Sequence, residues 1–229
     1  MKAGEAQQLQ FNSLKEFFYE AGYVGKGKNS FIKKYNGGWD KFAFGMINYD
    51  PKQICYFSIF KRIDAVEDIL QQVSDLYDLG IKVGKDSSTM AFGPGSLDGT
   101  HMETTLPEMQ SESDILVTSE LIKNFMIKTG FLMLERFNDL REWDKTMNGN
   151  DFWETDWRKP FNLYGQFDCK RLIIAYLSSN PDFEKIYQYS LKVREEVLKE
   201  FPGAKENVIN GKNYLEYLHE VLCAIKPLY

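Results

Sequence analysis

Residues 31–61 hold three strand-forming segments separated by connections too short for anything but hairpins. Phe31–Tyr35 precedes Asn36, Gly37 and Gly38, which tolerate positive φ and so favour a tight turn. Trp39–Ile47 follows, with Phe42, Phe44 and Met46 alternating onto one face. Asp50-Pro51-Lys52 marks a second turn, because proline fixes φ. Gln53–Lys61 completes the set. Its run from Ile54 to Phe60 is apolar on both faces, which predicts the most buried strand. Strands joined this closely pair antiparallel. The chain is therefore committed early to a meander sheet, and its other elements must be fitted around that sheet.

Helical patterns flank the meander. Ser13–Ala21 has capping-box spacing at Ser13 and Glu16 and an apolar face of Leu14, Phe17, Phe18 and Ala21. Gly22 then supplies a left-handed C-cap, with Tyr23 as its hydrophobic contact. Asp64–Tyr77 carries Val66, Ile69, Leu70, Val73 and Leu76 at helical period. Capping and the helix dipole account for its Asp64, Glu67 and Asp68. The result is an α-β-β-β-α unit with helices covering one face of an antiparallel meander. Glycines break the pattern from Gly80 to Gly99; Ser88–Phe92 and Thr100–Leu106 are predicted strands extending the sheet, and Pro107–Ser113 reads as a linker. Ser119–Met147 is a predicted helix, with Leu121, Ile122, Met126, Leu132 and Trp143 among its apolar positions and Gly130 marking a bend or a close contact. Further helices are expected over 168–178, 182–201 and 214–224, the last capped by Asn213 and Glu216. The fold class is α+β, with a sheet region over 1–112 and a helical region over 113–229 packed together as one unit.

With 17 Phe and 13 Tyr among 229 residues, the core is expected to be aromatic. Met1–Gln10 lacks the apolar run of a signal peptide, and no stretch reaches the roughly 18 apolar residues of a membrane span. Cys55, Cys169 and Cys223 are odd in number and widely spaced, which argues against a disulfide framework or a zinc site; all three are expected to be reduced and buried, in a cytoplasmic protein. Charge is unevenly laid out. Residues 1–62 carry ten Lys/Arg against five Asp/Glu, whereas residues 63–122 carry two against twelve. Between Lys85 and Lys123 every charged side chain is acidic. Such a block attracts a basic partner, and Asp98, Glu103, Glu108 and Glu112 are its candidate contacts. It is unsuited to nucleic acid, which demands clustered Lys/Arg.

No motif specifies a reaction, a cofactor or a metal. Gly22–Asn29 approaches a phosphate-binding loop, but Asn29 stands where a Ser/Thr should meet magnesium, and the helix precedes the glycines instead of following them. His101 and Glu103 have the H-x-E of a zinc deaminase without its C-x-x-C; along a strand they would share one face. Asp151, Glu154 and Asp156 lie among Trp153, Trp157 and Arg158, where burial against rings would raise a carboxyl pKa. His101, Glu103, Asp151 and Asp156 are thus the catalytic candidates, and His219 reads as exposed on the last helix.

The Leu14–Phe18 helix, the Glu20–Tyr23 turn and the Asn29–Lys33 strand together resemble small uncharacterised bacterial α+β proteins. Some of these stand beside polymorphic toxins and are suspected immunity proteins. The resemblance spans the first 75 or so residues and implies protein binding without naming site residues. The leading expectation is a non-enzymatic intracellular protein that binds a basic partner through its acidic segment. The alternative is a hydrolase with its site between sheet and helices. A third reading, an oligomeric or structural subunit, would show itself as a large exposed apolar patch.

Overall fold

In the structure, a computed structural model describing residues 2–77, 79, 83–93, 106–149, 167–201 and 207–229, four consecutive strands form the expected meander. They are β1 (Val24–Gly25), β2 (Ser30–Tyr35), β3 (Gly38–Tyr49) and β4 (Lys52–Ile63), each antiparallel to the one before. β3 and β4 stay in register from Gly38 opposite Ile63 to Tyr49 opposite Lys52. The predicted Ser88–Phe92 strand is β5 (Met90–Phe92), which pairs with the far edge of β4. The supposed linker at Pro107–Ser113 instead contains β6 (Glu108–Met109), paired with β4 at Gln53 and Ile54. Of the strand expected over Thr100–Leu106, only Leu106 is among the described residues. The helices are α1 (Ala3–Glu20), α2 (Asp64–Tyr77), α3 (Glu112–Phe125), α4 (Phe131–Arg136), α5 (Leu140–Asn148), α6 (Phe167–Leu177), α7 (Phe183–Glu200) and α8 (Tyr214–Cys223). A π-helical turn, Met126–Gly130, joins α3 to α4. The protein is α+β, with its C-terminal half helical.

The chain forms two units, and neither is a single stretch. The first takes in the described residues of Met1–Ile63 and Met90–Arg136; the second takes in those of Asp64–Thr89, Phe137–Asp156 and Tyr164–Tyr229.

In the first unit, register places Phe31, Phe42, Phe57, Ile59 and Phe92 on one buried face. α1 lies on that face through Phe18, whose ring stacks on Phe31 at 4.6 Å and meets Phe42 at 4.6 Å. Each such buried ring is worth roughly 1.5–3 kcal/mol from area, and aromatic pairing adds about 0.5–1.5 kcal/mol. α1 begins ten residues before the predicted Ser13, so Ser13 and Glu16 lie inside it and cap nothing. The reason is a stripe of Ala6, Gln10, Leu14 and Phe18, four residues apart and all buried. Gln10 hides that stripe from a hydropathy reading. Its amide donates to the Ser119 hydroxyl at 2.7 Å, so a polar residue is satisfied in a core position. The C-cap is as expected: Gly22 has φ +83°, the Tyr23 N–H reaches the Phe18 carbonyl at 2.9 Å, and the two rings meet edge to face.

β4 is buried on one face only, contrary to expectation. Tyr56 is exposed, and Ile54, Ser58 and Phe60 are half-buried. Tyr56 lies over Gly45, its cross-strand partner; a Cβ there would sit 2.3 Å from the ring. The glycine makes room for an aromatic cover on the open face.

The covered face ends in an ion pair. Lys61 lies opposite Asp40 and reaches it at 2.6 Å, the Tyr35 hydroxyl donates to the same carboxylate at 3.1 Å, and Lys61 has no exposed surface. Burial raises the Asp40 pKa and lowers that of Lys61, while each charge partly restores the other.

In the second unit α2 buries Val66, Ile69, Leu70 and Val73 as its spacing indicates, but Tyr77 is buried where Leu76 was expected, and Leu76 is exposed. Glu67 stands in the first turn, as its spacing indicates, and is fully buried with the Lys170 ammonium 3.1 Å away. Lys170 also donates to the Ser88 carbonyl at 2.6 Å. The helix predicted over 119–147 is broken by the π turn and again at Asp139, which caps α5 by accepting the Arg141 N–H. The last three helices fall where their spacing put them, and Asn213 and Glu216 form the expected box.

Breaking the Asp40–Lys61 pair from one side leaves a buried charge. Lys61→Met or Asp40→Leu alone is expected to destabilise the fold by about 3–5 kcal/mol, and the double substitution to recover most of that loss. Urea unfolding of the four proteins checks this. Single losses that merely add in the double variant would show that the charges do not depend on each other.

Candidate interaction surface

α3 begins inside the expected linker because Ser111 caps it. Ser111 is extended, its hydroxyl accepts the Asp114 N–H, and the Asp114 carboxylate accepts the N–H groups of Ser111 and Gln110, each at 2.9 Å. This is a capping box built with Asp at the position where the usual signature has Glu or Gln. The backbone donor of Gln110, then the hydroxyl and N–H of Ser111, hold the Asp114 carboxyl below its ordinary range.

The inner face of α3 buries Ile115, Thr118, Ser119 and Ile122, with Met126 continuing it. α1 packs here. The small polar residues fit because Ser119 hydrogen-bonds twice, accepting from Gln10 and donating to the Ile115 carbonyl. Phe125 sets its ring edge-on against Phe57 of the sheet. With Thr and Ser inside, large apolar residues are left outside. Leu116 and Val117 are each 55% exposed, Leu121 43%, Ile127 58% and Leu132 59%. Leu121 and Leu132, expected in the core from spacing alone, are therefore on the surface. The π turn adds a residue to the helix and shifts the positions after it. Of the exposed charged residues here, Glu112 and Glu120 lie before Asn124, and Lys128, Glu135 and Arg136 after it.

Of the candidate residues named from the sequence, Glu108 and Glu112 are among the described residues. Glu108 faces Lys52 in an exposed ion pair at 2.5 Å, so the acidic segment is partly met by the basic first segment. Glu112 stands in the first turn of α3, where the helix N-terminus favours an anion. Glu120 pairs with Lys123 at 2.8 Å. Asp98, His101, Glu103, Asp151 and Asp156 lie outside the described residues.

One chemical grouping was missed. His219 lies between the rings of Phe183 and Tyr187, at 5.5 and 4.1 Å, and is less exposed than the sequence suggested. Its Nε2 contacts Glu184 at 2.8 Å, and the Cys223 sulfur lies 3.8 Å from its Nδ1. Cys223 is exposed, unlike Cys55 and Cys169. Spacing along α8 places His219 and Cys223 one turn apart; α7 supplies Glu184. Among the described residues this is the group that can hold a metal ion, although Glu184 and His219 already bond directly where an ion would part them. The Cys223 thiol pKa is raised, by burial and by Glu184.

No family model, curated protein or solved structure matches the chain. No helix among the described residues is long and apolar enough to cross a membrane.

Two outcomes follow from this geometry. Asp114 has a folded pKa below its unfolded value of about 3.9, so its stabilisation is complete above that value and is lost as pH falls through the folded pKa. Amide exchange at the start of α3 is expected to accelerate in that window; an α3 terminus whose exchange does not respond to that acidification would contradict the box. A thiol reagent is expected to titrate one cysteine in the native protein and three after denaturation, since burial pushes Cys55 up to about 12 and Cys169 higher still. Rapid native labelling of more than one would refute the assignment.

Proposed function

We propose that this chain is a non-enzymatic protein-binding protein, acting in the cytoplasm, whose partner docks on the outer face of α3 and α4. The observation that carries this reading is the exposure of Leu116, Val117, Leu121, Ile127 and Leu132, each at least 43% exposed, over α3, the π turn and α4. Contiguous apolar surface framed by charge is the mark of an interaction site, whereas single exposed apolar residues are ordinary. The fitting partner presents an apolar helix face with basic residues opposite Glu112 and Glu120. Charge sets approach and register, and the apolar residues supply most of the affinity. Capture of a basic toxin by an immunity-like protein would have this chemistry.

Co-expression with the products of neighbouring genes, followed by titration of the partner recovered, tests the reading. Leu121→Ser is expected to weaken binding at least about fivefold, the loss of roughly 1 kcal/mol. Glu112→Gln with Glu120→Gln should flatten the salt dependence. A partner whose binding ignores all three substitutions would place the function elsewhere.

A further inference from the structure

The geometry points to a zinc(II) site on the second unit, held by Glu184 of α7 and by His219 and Cys223 of α8. A carboxylate oxygen of Glu184, a ring nitrogen of His219 and the Cys223 sulfur all lie within 4.8 Å of one another. His219 and Cys223 are four residues apart, so one face of α8 presents both, and α7 packs against α8 and brings Glu184 to that face. Zinc bonds of about 2.0–2.3 Å at tetrahedral angles set donor atoms about 3.4–3.6 Å apart. Here the His219 Nε2 is 3.9 Å from the sulfur and 2.8 Å from Glu184 Oε1. An ion entering the group therefore opens one separation by about half an ångström and closes the other by about three tenths. Both adjustments fall to Glu184 and Cys223, which are exposed, while His219 stays stacked on Tyr187 at 4.1 Å.

The donor set names the ion. Calcium and magnesium take oxygen ligands, and a thiolate with an imidazole suits them poorly. Zinc accepts sulfur, nitrogen and oxygen in one tetrahedron. Coordination releases one proton to solvent, that of the Cys223 thiol. The imidazole moves its Nε2 proton to Nδ1 as the bond to Glu184 gives way to bonds with the ion. The surroundings favour a cation. Burial, then Glu216, Glu184 and Glu220, raise the pKa of Tyr187, so three carboxylates bear on the ring beside His219. Against them stands Lys212, paired with Glu220. Three protein ligands leave the fourth position to water, and the ion ties α7 to α8. Widely spaced cysteines gave no zinc motif because this site takes a single thiol and draws its carboxylate from another helix. It uses none of the residues proposed for partner docking.

Metal titration of the full chain, reduced and stripped of metal beforehand, tests this. Zinc is added in competition with a chromophoric zinc indicator, and cobalt(II) is then used in its place. The expected result is a single zinc ion per chain and, with cobalt, a sulfur-to-metal charge-transfer band. Labelling of Cys223 by a thiol reagent should slow at least about tenfold with zinc and recover with a chelator. Glu184→Gln, His219→Asn and Cys223→Ser should each weaken zinc binding at least about tenfold, since even residues behind the ligands contribute that much. Glu196→Gln, about three turns along α7, should bind zinc as the parent does. Circular dichroism of each variant checks that the helices persist. Absence of stoichiometric binding overturns the inference, as does a cobalt complex without the sulfur band. Binding that survives Cys223→Ser overturns it too, and so does binding indifferent to Glu184→Gln, because the ion would then not join the two helices.

Discussion

The register between β3 and β4 governs the first unit. Because side chains alternate along a strand, pairing Gly38 with Ile63 sends Phe42, Phe57 and Ile59 to one face together. A slip of β4 by one residue would turn Phe57 and Ile59 outward and bring Phe60 inward. The same register sets Lys61 opposite Asp40, where neither charge is tolerable alone. It also sets Tyr56 over Gly45 on the open side. Phe18 can stack on Phe31 and Phe42 only while those rings share a face, and the placement of α1 follows from that stack.

What could be read from the sequence was local. Turn residues at 36–38 and 50–52, the cap at Gly22 and the box at Asn213 and Glu216 state their geometry within a few positions, and each is found. The failures were of two kinds. Where a polar residue occupies a core position, periodicity misleads: Gln10 concealed ten residues of α1, and Thr118 and Ser119 inside α3 made Leu121 look interior. Where the partner is distant in the chain, spacing says nothing. Glu67 read as a first-turn acid and nothing more, because its companion, Lys170, is over a hundred residues away. The candidate surface was half legible. The acidic tract was visible, but the exposed apolar row was not, since exposure depends on which face α1 covers.

Buried polar contacts recur in both units. Arg171 donates to Asn148 at 2.6 Å, while Asp144 accepts from Asn148 and from Asn180, each at 2.7 Å. Burial draws the Arg171 pKa down to about 9 and pushes that of Asp144 up. These groups gain little net stability over apolar replacements, but they penalise misplacement: an amide or carboxylate left unpaired inside costs more than a poorly packed methyl.

The interleaving of the two units bears on how the chain must be made. α2 belongs to the second unit but is synthesised before α3, which the first unit needs against α1. When the meander has left the ribosome its aromatic face has α1 but not α3, and α2 has none of its helical partners. Neither unit can be completed until residue 136 has emerged, and the second must wait for the last helix. A product truncated before residue 136 would therefore be two incomplete bodies rather than one finished domain, a natural substrate for chaperones and proteases.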